Sequence, residues 1–271
     1  MRIVDNIAAL RVHTNLTRTD KAIAQSTLRL SSGFRINSAG DDPAGFAISL
    51  HLRNQVRGMN MADRNTWDGT SLLQTADAAL QDIHNMIHRV RELAVQASND
   101  TNSDWDRENI QAEISQLLEE IDDITRKVEF NNIRLLNGET QNLRVQVGGR
   151  QGMSISINIP SFETGPDALD IAHLNVLTLE DAQNTIEEAD RAINQVSRHR
   201  ADIGAFINRF EYTSSSLRAA VEATQRSLSR IQDTDMAYEM MHLSTNNIMS
   251  QAGMAIMAQV NARPQQILQL I

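Results

Sequence analysis

Apolar residues recur at steps of three and four over most of this chain, and those steps predict long helices. The longest series is Ile186, Ala189, Ile193, Val196, Arg200, Ile203, Ile207, Phe210, Ser214, Leu217, Val221, Thr224, Leu228 and Ile231. It is a heptad seam, weakened at Arg200, Ser214 and Thr224. One helix over this span is about 68 Å long at about 1.5 Å per residue. A helix of that length cannot fold back on a compact core, so the seam predicts a rod-like bundle. Leu72, Ala76, Leu80, Ile83, Ile87, Val90 and Ala94 form a second stripe, and Ile110, Ile114, Leu117, Ile121, Ile124 and Val128 a third. The polar run Ser98 to Asp104 between them is a turn, with Ser103 or Asp104 the N-cap of the next helix. These two helices are therefore expected to be antiparallel neighbours, with the long C-terminal helix packed on both.

The pattern changes over residues 131–172. Leu143, Val145 and Val147 alternate with polar residues, as do Ile155, Ile157 and Ile159, with Gly148, Gly149 and Gly152 between. This period of two predicts a β-hairpin. Asn137-Gly138 is a turn signal, and Thr164-Gly165-Pro166 turns the chain back toward the helices.

Helical spacing returns at both ends. Ile3, Ile7, Leu10, Leu16, Ile23, Leu28 and Leu30 give one apolar face. Met236, Met240, Leu243, Ile248, Met254, Met257 and Val260 give another. Methionine is pliable and suits surfaces that repack. Little else near either end can bury these faces, so the arms pair with each other or with other copies of the chain. The predicted fold is mainly α: an elongated helical bundle or coiled-coil rod, one small β-hairpin region and terminal helical arms. The arms take residues 1–43 and 232–271. The rod domain takes 44–231, with helices at about 44–97, 104–128 and 178–231 and the hairpin region at about 140–160.

Composition agrees and narrows the function. Aromatic residues are 4% of the 271 and prolines number four, which suits long helices packed on aliphatic side chains. The net charge of -9 argues against a nucleic-acid partner, since phosphate binding needs a basic face. There is no cysteine, hence no disulfide or thiol chemistry. No stretch approaches the roughly 18 apolar residues of a membrane span, and no basic amphipathic segment suggests membrane binding. Asp5 and Asn6 interrupt the N-terminal apolar residues and no signal-peptide core follows, so an extracellular role requires another export route.

Candidate chemistry is sparse. His84 and His88 have the i, i+4 spacing of two metal ligands, but no His-Glu-x-x-His accompanies them, and they are taken as exposed helix histidines. Asp41 and Asp42 beside Pro43 are turn caps. The acidic run Glu119, Glu120, Asp122, Asp123 is a solvated helix face. Gly148-Gly149-Arg150-Gln151-Gly152 lacks the lysine and following helix of a phosphate loop. No catalytic triad, metal site or cofactor site is expected.

Several motifs together resemble bacterial flagellin. They are Leu30-Ser-Ser-Gly33, Arg35-Ile-Asn-Ser-Ala39, Asp41-Asp42-Pro-Ala-Gly45, Arg89-Val-Arg-Glu-Leu-Ala-Val-Gln96, Glu129-Phe-Asn-Asn132, Ser250-Gln-Ala-Gly-Met-Ala-Ile-Met-Ala-Gln259 and Pro264-Gln-Gln-Ile-Leu-Gln-Leu270. The likeness covers about 1–160 and 175–271, with a short middle where many flagellins carry outer domains. It implies a minimal flagellin, a structural subunit and not an enzyme. Such a subunit is secreted through the flagellar type III channel and polymerises into an extracellular helical filament for swimming. A hook–filament junction protein shares the terminal features and is the alternative.

The resemblance also implies partners and sites. Ile3, Ile7, Leu10, Leu28, Met240, Leu243, Met254, Met257, Leu268 and Leu270 are expected to assemble the inner core of the filament. Implied partners are other copies, an export chaperone at the C-terminal arm, and the filament cap and hook–filament junction proteins. Arg89, Leu93 and Glu113 resemble the segment that engages Toll-like receptor 5 of a host, and are expected to form a lateral subunit contact as well.

Overall fold

The computed structural model describes residues 6–139, 142–166 and 168–268. The chain is mainly α, with a small β region. In order come α1 (Ile7–Ser32), α2 (Pro43–Ala97), α3 (Asp104–Lys127), β1 (Glu129–Phe130), β2 (Ile133–Arg134), β3 (Leu143–Gln146), β4 (Ser154–Ile157), α4 (Leu179–Gln232) and α5 (Met236–Leu268). Two compact units result: Met1–Gln55 with Glu222–Ile271, and Val56–Val221. Their boundaries fall inside α2 and α4.

The core lies in the second unit, and its helices bury the predicted stripes. Leu72, Ala76, Leu80, Ile83, Ile87, Val90 and Ala94 are all buried. So are Ile110, Ile114 and Ile121 of α3, and Ala189, Val196, Ile203 and Phe210 of α4. Ion pairs fix the directions. Arg107 Nε donates to the Ala97 carbonyl, and Arg89 meets Glu113, so α3 runs antiparallel to α2. Arg91 with Asp190, Arg200 with Asp77, and Arg218 with Asp63 make α4 antiparallel to α2 as well. Arg200 thus leaves the seam sideways to meet a carboxylate. Ser214 stays in it by donating to Asp63 Oδ1 at 2.5 Å. Arg200 and Ser214, two of the three polar interruptions of the heptad pattern, thus have partners across the helix pair, as buried polar groups require.

Local signals start and stop these helices. Ser103 caps α3: its hydroxyl accepts from the Asp106 N–H, and Asp106 reaches back to the Ser103 N–H at 3.0 Å, a capping box. Asp42 Oδ1 accepts from the Gly45 N–H at 3.0 Å at the start of α2, where Pro43 supplies a pre-set φ. Asp41 accepts from the N–H groups of Asn37 and Ser38, so both members of the acidic pair are turn caps.

The β region holds two hairpins where the sequence predicts one. β3 and β4 pair antiparallel, with Leu143 opposite Ile157 and Val145 opposite Ile155. Val145, Ile155 and Ile157 turn into the core. The second hairpin, β1–β2, is two residues per strand and turns through Asn131 and Asn132, at φ of 50° and 62°. Asparagine tolerates this left-handed backbone, and two such residues make the tight turn that suits strand twist.

Glycines permit two close approaches to α2. A Cβ on Gly58 would lie 3.2 Å from the Gly149 Cα, so the hairpin loop rests directly on the α2 backbone. A Cβ on Gly69 would lie 2.9 Å from the buried Phe210 ring.

Candidate assembly surfaces

The first unit is organised by α1 and α5. Asn6 caps α1 by accepting from the Ala9 N–H at 3.1 Å, and Gly33 ends it at φ 75°, its N–H donating to the Arg29 carbonyl. The Gly33 geometry needs a residue without a Cβ penalty. The chain then crosses to the α4–α5 junction. Arg35 N–H donates to the Gln232 carbonyl at 2.7 Å, and Thr234 N–H to the Gly33 carbonyl at 3.0 Å. Ile36 is buried there, against the space that a Cβ on Gly45 would fill. The turn from Gly33 to Gly45 is thereby locked to residues 231–234.

α1 and α5 pack on each other antiparallel. Asn6 donates to the Val260 carbonyl, Leu16 lies over Gly253, Asp20 accepts from Ser250, and Arg29 pairs with Glu239. Along α5 the inward positions are Glu239, Leu243, Asn246, Ser250, Gly253, Met257 and Val260, all buried or half-buried. Along α1 they include Val12, Leu16, Ile23, Ser26 and Leu30. One helix can cover only one stripe of its partner.

Large apolar side chains stay exposed on both helices, a few on the mostly polar outer side of α1 and many on α5. Ile7, Leu10 and Leu28 of α1 are exposed, Leu10 at 67%. Met236, Met240, Met241, Ile248, Met249, Met254 and Ile256 of α5 are exposed, Ile248 at 67%. The predicted core residues therefore separate into two sets. Leu243 and Met257 join α5 to α1. Ile7, Leu10, Leu28, Met240 and Met254 face away from the pair. Ile3, Leu270 and the Leu268 side chain lie outside the described residues. No described helix is long and apolar enough to cross a membrane.

Arg89, Leu93 and Glu113 form a second candidate surface, with one correction. Arg89 and Glu113 are exposed and bonded, the guanidinium donating to Glu113 Oε1 at 2.8 and 3.0 Å, with Glu92 alongside at 3.3 Å. Leu93 does not share their exposure: it is 2% exposed, inside the core. It belongs to a second column of α2, Leu72, Ala79, Met86 and Leu93, which is packed because α2 is covered on more than one side. Among the described residues no group of three or more metal-binding side chains converges.

Comparison with known proteins decides the family. Residues 3–141 match the bacterial flagellin N-terminal helical region, and residues 186–271 match the bacterial flagellin C-terminal helical region. This chain belongs to the bacterial flagellin family. It is 43% identical to the flagellin of Bacillus subtilis (strain 168) and 40% identical to that of Halalkalibacterium halodurans, each alignment covering the whole of both chains. The crystal structure of Bacillus cereus flagellin matches 57% of this chain and 88% of its own, at 31% identity and a TM-score of 0.52. This flagellin is thus a minimal form, a structural subunit of the bacterial flagellar filament that self-assembles. The junction-protein alternative is not favoured by these matches.

Proposed function

We propose that the outward apolar side chains of α5, with Ile7, Leu10 and Leu28 of α1, are the contact by which successive copies join in the inner core of the filament. The observation that carries this reading is the second apolar side of α5. Ile248, Met249, Met254 and Ile256 are about half or more exposed on a helix whose other side is already packed. A soluble monomer has little reason to keep such a row in water. Fully burying one Ile or Met contributes about 1.5–3 kcal/mol, and about half of that remains to be gained at each of these positions. The contact is head-to-tail and does not close, which yields a filament in place of a ring.

The same reading places the subunit outside the cell, exported through the flagellar type III channel. The export chaperone covers the C-terminal arm before assembly, and the filament cap and hook–filament junction proteins meet the same terminal helices. No catalytic step and no cofactor enter the reading. Arg89 and Glu113, bonded across α2 and α3, carry a lateral subunit contact and the surface that resembles the Toll-like receptor 5 segment. Leu93 acts there by holding α2 in place.

Seeded elongation tests the main proposal. Wild-type chain should extend filament seeds, as read by electron microscopy. Ile248→Asp with Met254→Asp should leave the helical circular dichroism of the monomer unchanged and stop elongation. Normal filaments from the double variant would remove α5's outward side from the contact.

A further inference from the structure

The histidine pair of α2 has a geometry its i, i+4 spacing does not require. His84 and His88 turn their Nε2 atoms toward each other at 3.1 Å. The rings stand at 81° with centroids 4.5 Å apart. Two histidines one turn apart on a solvated helix have no need to converge, since both rings can extend separately into water.

The separation is that of two ligands on one metal ion. Two metal–imidazole bonds of about 2.0–2.1 Å put their nitrogens about 2.9 Å apart at a right angle and about 3.4 Å apart at the tetrahedral angle. The observed 3.1 Å falls between these. We infer that His84 and His88 form a two-imidazole site for a late first-row divalent cation (Zn²⁺, Ni²⁺ or Cu²⁺), completed by water.

The surroundings bear on this in both directions. His88 is exposed and His84 half-buried, so the side of the pair facing solvent is open to coordinating water. Arg200 lies close enough to His84 to act on its charge, which opposes a cation. The Arg200 guanidinium is, however, bonded to Asp77 at 2.9 Å, and the pair is close to neutral. Burial first, then His88 and Arg200, lowers the His84 pKa from its ordinary 6.5.

One feature weakens the site. Nδ1 of His84 is buried and has no hydrogen-bond partner. A bare lone pair there costs less than an unpaired N–H, so in the metal-free chain Nε2 of His84 holds the proton and donates it to Nε2 of His88. Ligation moves that proton away from Nε2. No acceptor waits at Nδ1 to orient the ring, whereas strong zinc sites supply one. The expected binding is therefore modest, with Cu²⁺ tighter than Ni²⁺ or Zn²⁺.

Calorimetric titration of the full-length, tag-free chain with NiCl₂ and with CuCl₂ tests the site. The wild-type chain should bind one ion, and Ni²⁺ should raise its thermal melting temperature. His84→Gln and His88→Gln should each weaken binding about tenfold or more and abolish the rise, with unchanged circular dichroism before metal is added. His242→Gln, on α5, should behave as wild type. Unchanged affinity in either α2 variant, or no saturable binding by the wild-type chain, would overturn the assignment. None of these readouts depends on filament growth.

Discussion

Arg89 and Glu113 are bonded twice through one carboxylate oxygen, at 2.8 and 3.0 Å, while Leu93, one turn from Arg89 on the same helix, is sealed in the core. Sequence spacing places Arg89 and Leu93 on one face, yet their environments are opposite. The pair therefore separates surface function from stability. Both side chains of the ion pair are about half exposed, and such pairs contribute about 0–1 kcal/mol. Arg89→Ala should leave urea denaturation nearly unchanged, whereas Leu93→Ala should cost about 2–5 kcal/mol. A motility or receptor defect in Arg89→Ala then reports a lost contact. The same defect in Leu93→Ala reports a loosened fold, recognisable by its lower denaturation midpoint.

The α4 seam gives the sharpest test of phase. Ile203 is 5% exposed within the main core. Ile203→Asp buries a charge without a partner and should destabilise the chain by several kcal/mol, of the order of its whole stability. Circular dichroism at 25 °C should show an unfolded or partly unfolded chain. A cooperative melt near the wild-type temperature would mean that residue 203 can turn outward.

Gly69 is a second core test, of opposite sign in volume. Its missing Cβ leaves room for Phe210, and an added methyl would stand 2.9 Å from that ring and 3.2 Å from Val145. Gly69→Ala improves helix propensity by about 1 kcal/mol but overpacks a site where neither neighbour can retreat. We expect a net loss of about 1–2 kcal/mol by urea denaturation. Gly204, in α4 with open space around it, should gain stability from the same change. The contrast between the two isolates the crowding.

Acid should loosen the caps first. Asp106 is held below its ordinary pKa of 3.8 chiefly by the Ser103 hydroxyl and then by the Ser103 N–H, and Asp41 by the N–H groups of Ser38 and Asn37. A lowered carboxylate pKa means stability that is full above the unfolded value and lost as pH falls through the folded one. The turn ahead of α2 and the cap of α3 should thus hold at pH 5 and weaken below about pH 4. Thermal melts between pH 5 and 2.5 check this. Asp106→Asn should flatten the profile, with a lower melting temperature at pH 5 and a smaller fall with acid.

Much of this architecture is legible because helices packed along one stripe write a simple period. The α2 stripe is buried throughout, the α3 stripe and the first half of the α4 seam are buried or packed against the core where three-and-four spacing puts them, and the period of two over Val145 and over Ile155 and Ile157 gives the hairpin. What escapes the pattern has physical causes. The β1–β2 hairpin has strands too short to alternate, and its one signal is the pair Asn131-Asn132. Leu93 sits in the column Leu72, Ala79, Met86, a step of seven that a one-stripe reading passes over. In the terminal helices, Ile7, Leu10 and Leu28 share a list with Leu16, Ile23 and Leu30. Only the pairing of α1 with α5 divides them into an outer and an inner set. The convergence of His84 and His88 is likewise a matter of rotamers, to which spacing is blind.

Burial along α4 is graded. Ala189, Val196, Ile203 and Phe210 are sealed, while Leu217, Val221, Thr224, Leu228 and Ile231, on the same seam, stay half in water. The helix is continuous, but its share of intramolecular packing is not. Local opening follows packing, so backbone amides before residue 210 should exchange hydrogen only when the core opens, and those beyond residue 217 far sooner. One end of the helix arrives already finished. On the contact proposed above, the other end should complete its protection on the growing polymer, so each newly added copy would be held partly by the stability it acquires on arrival.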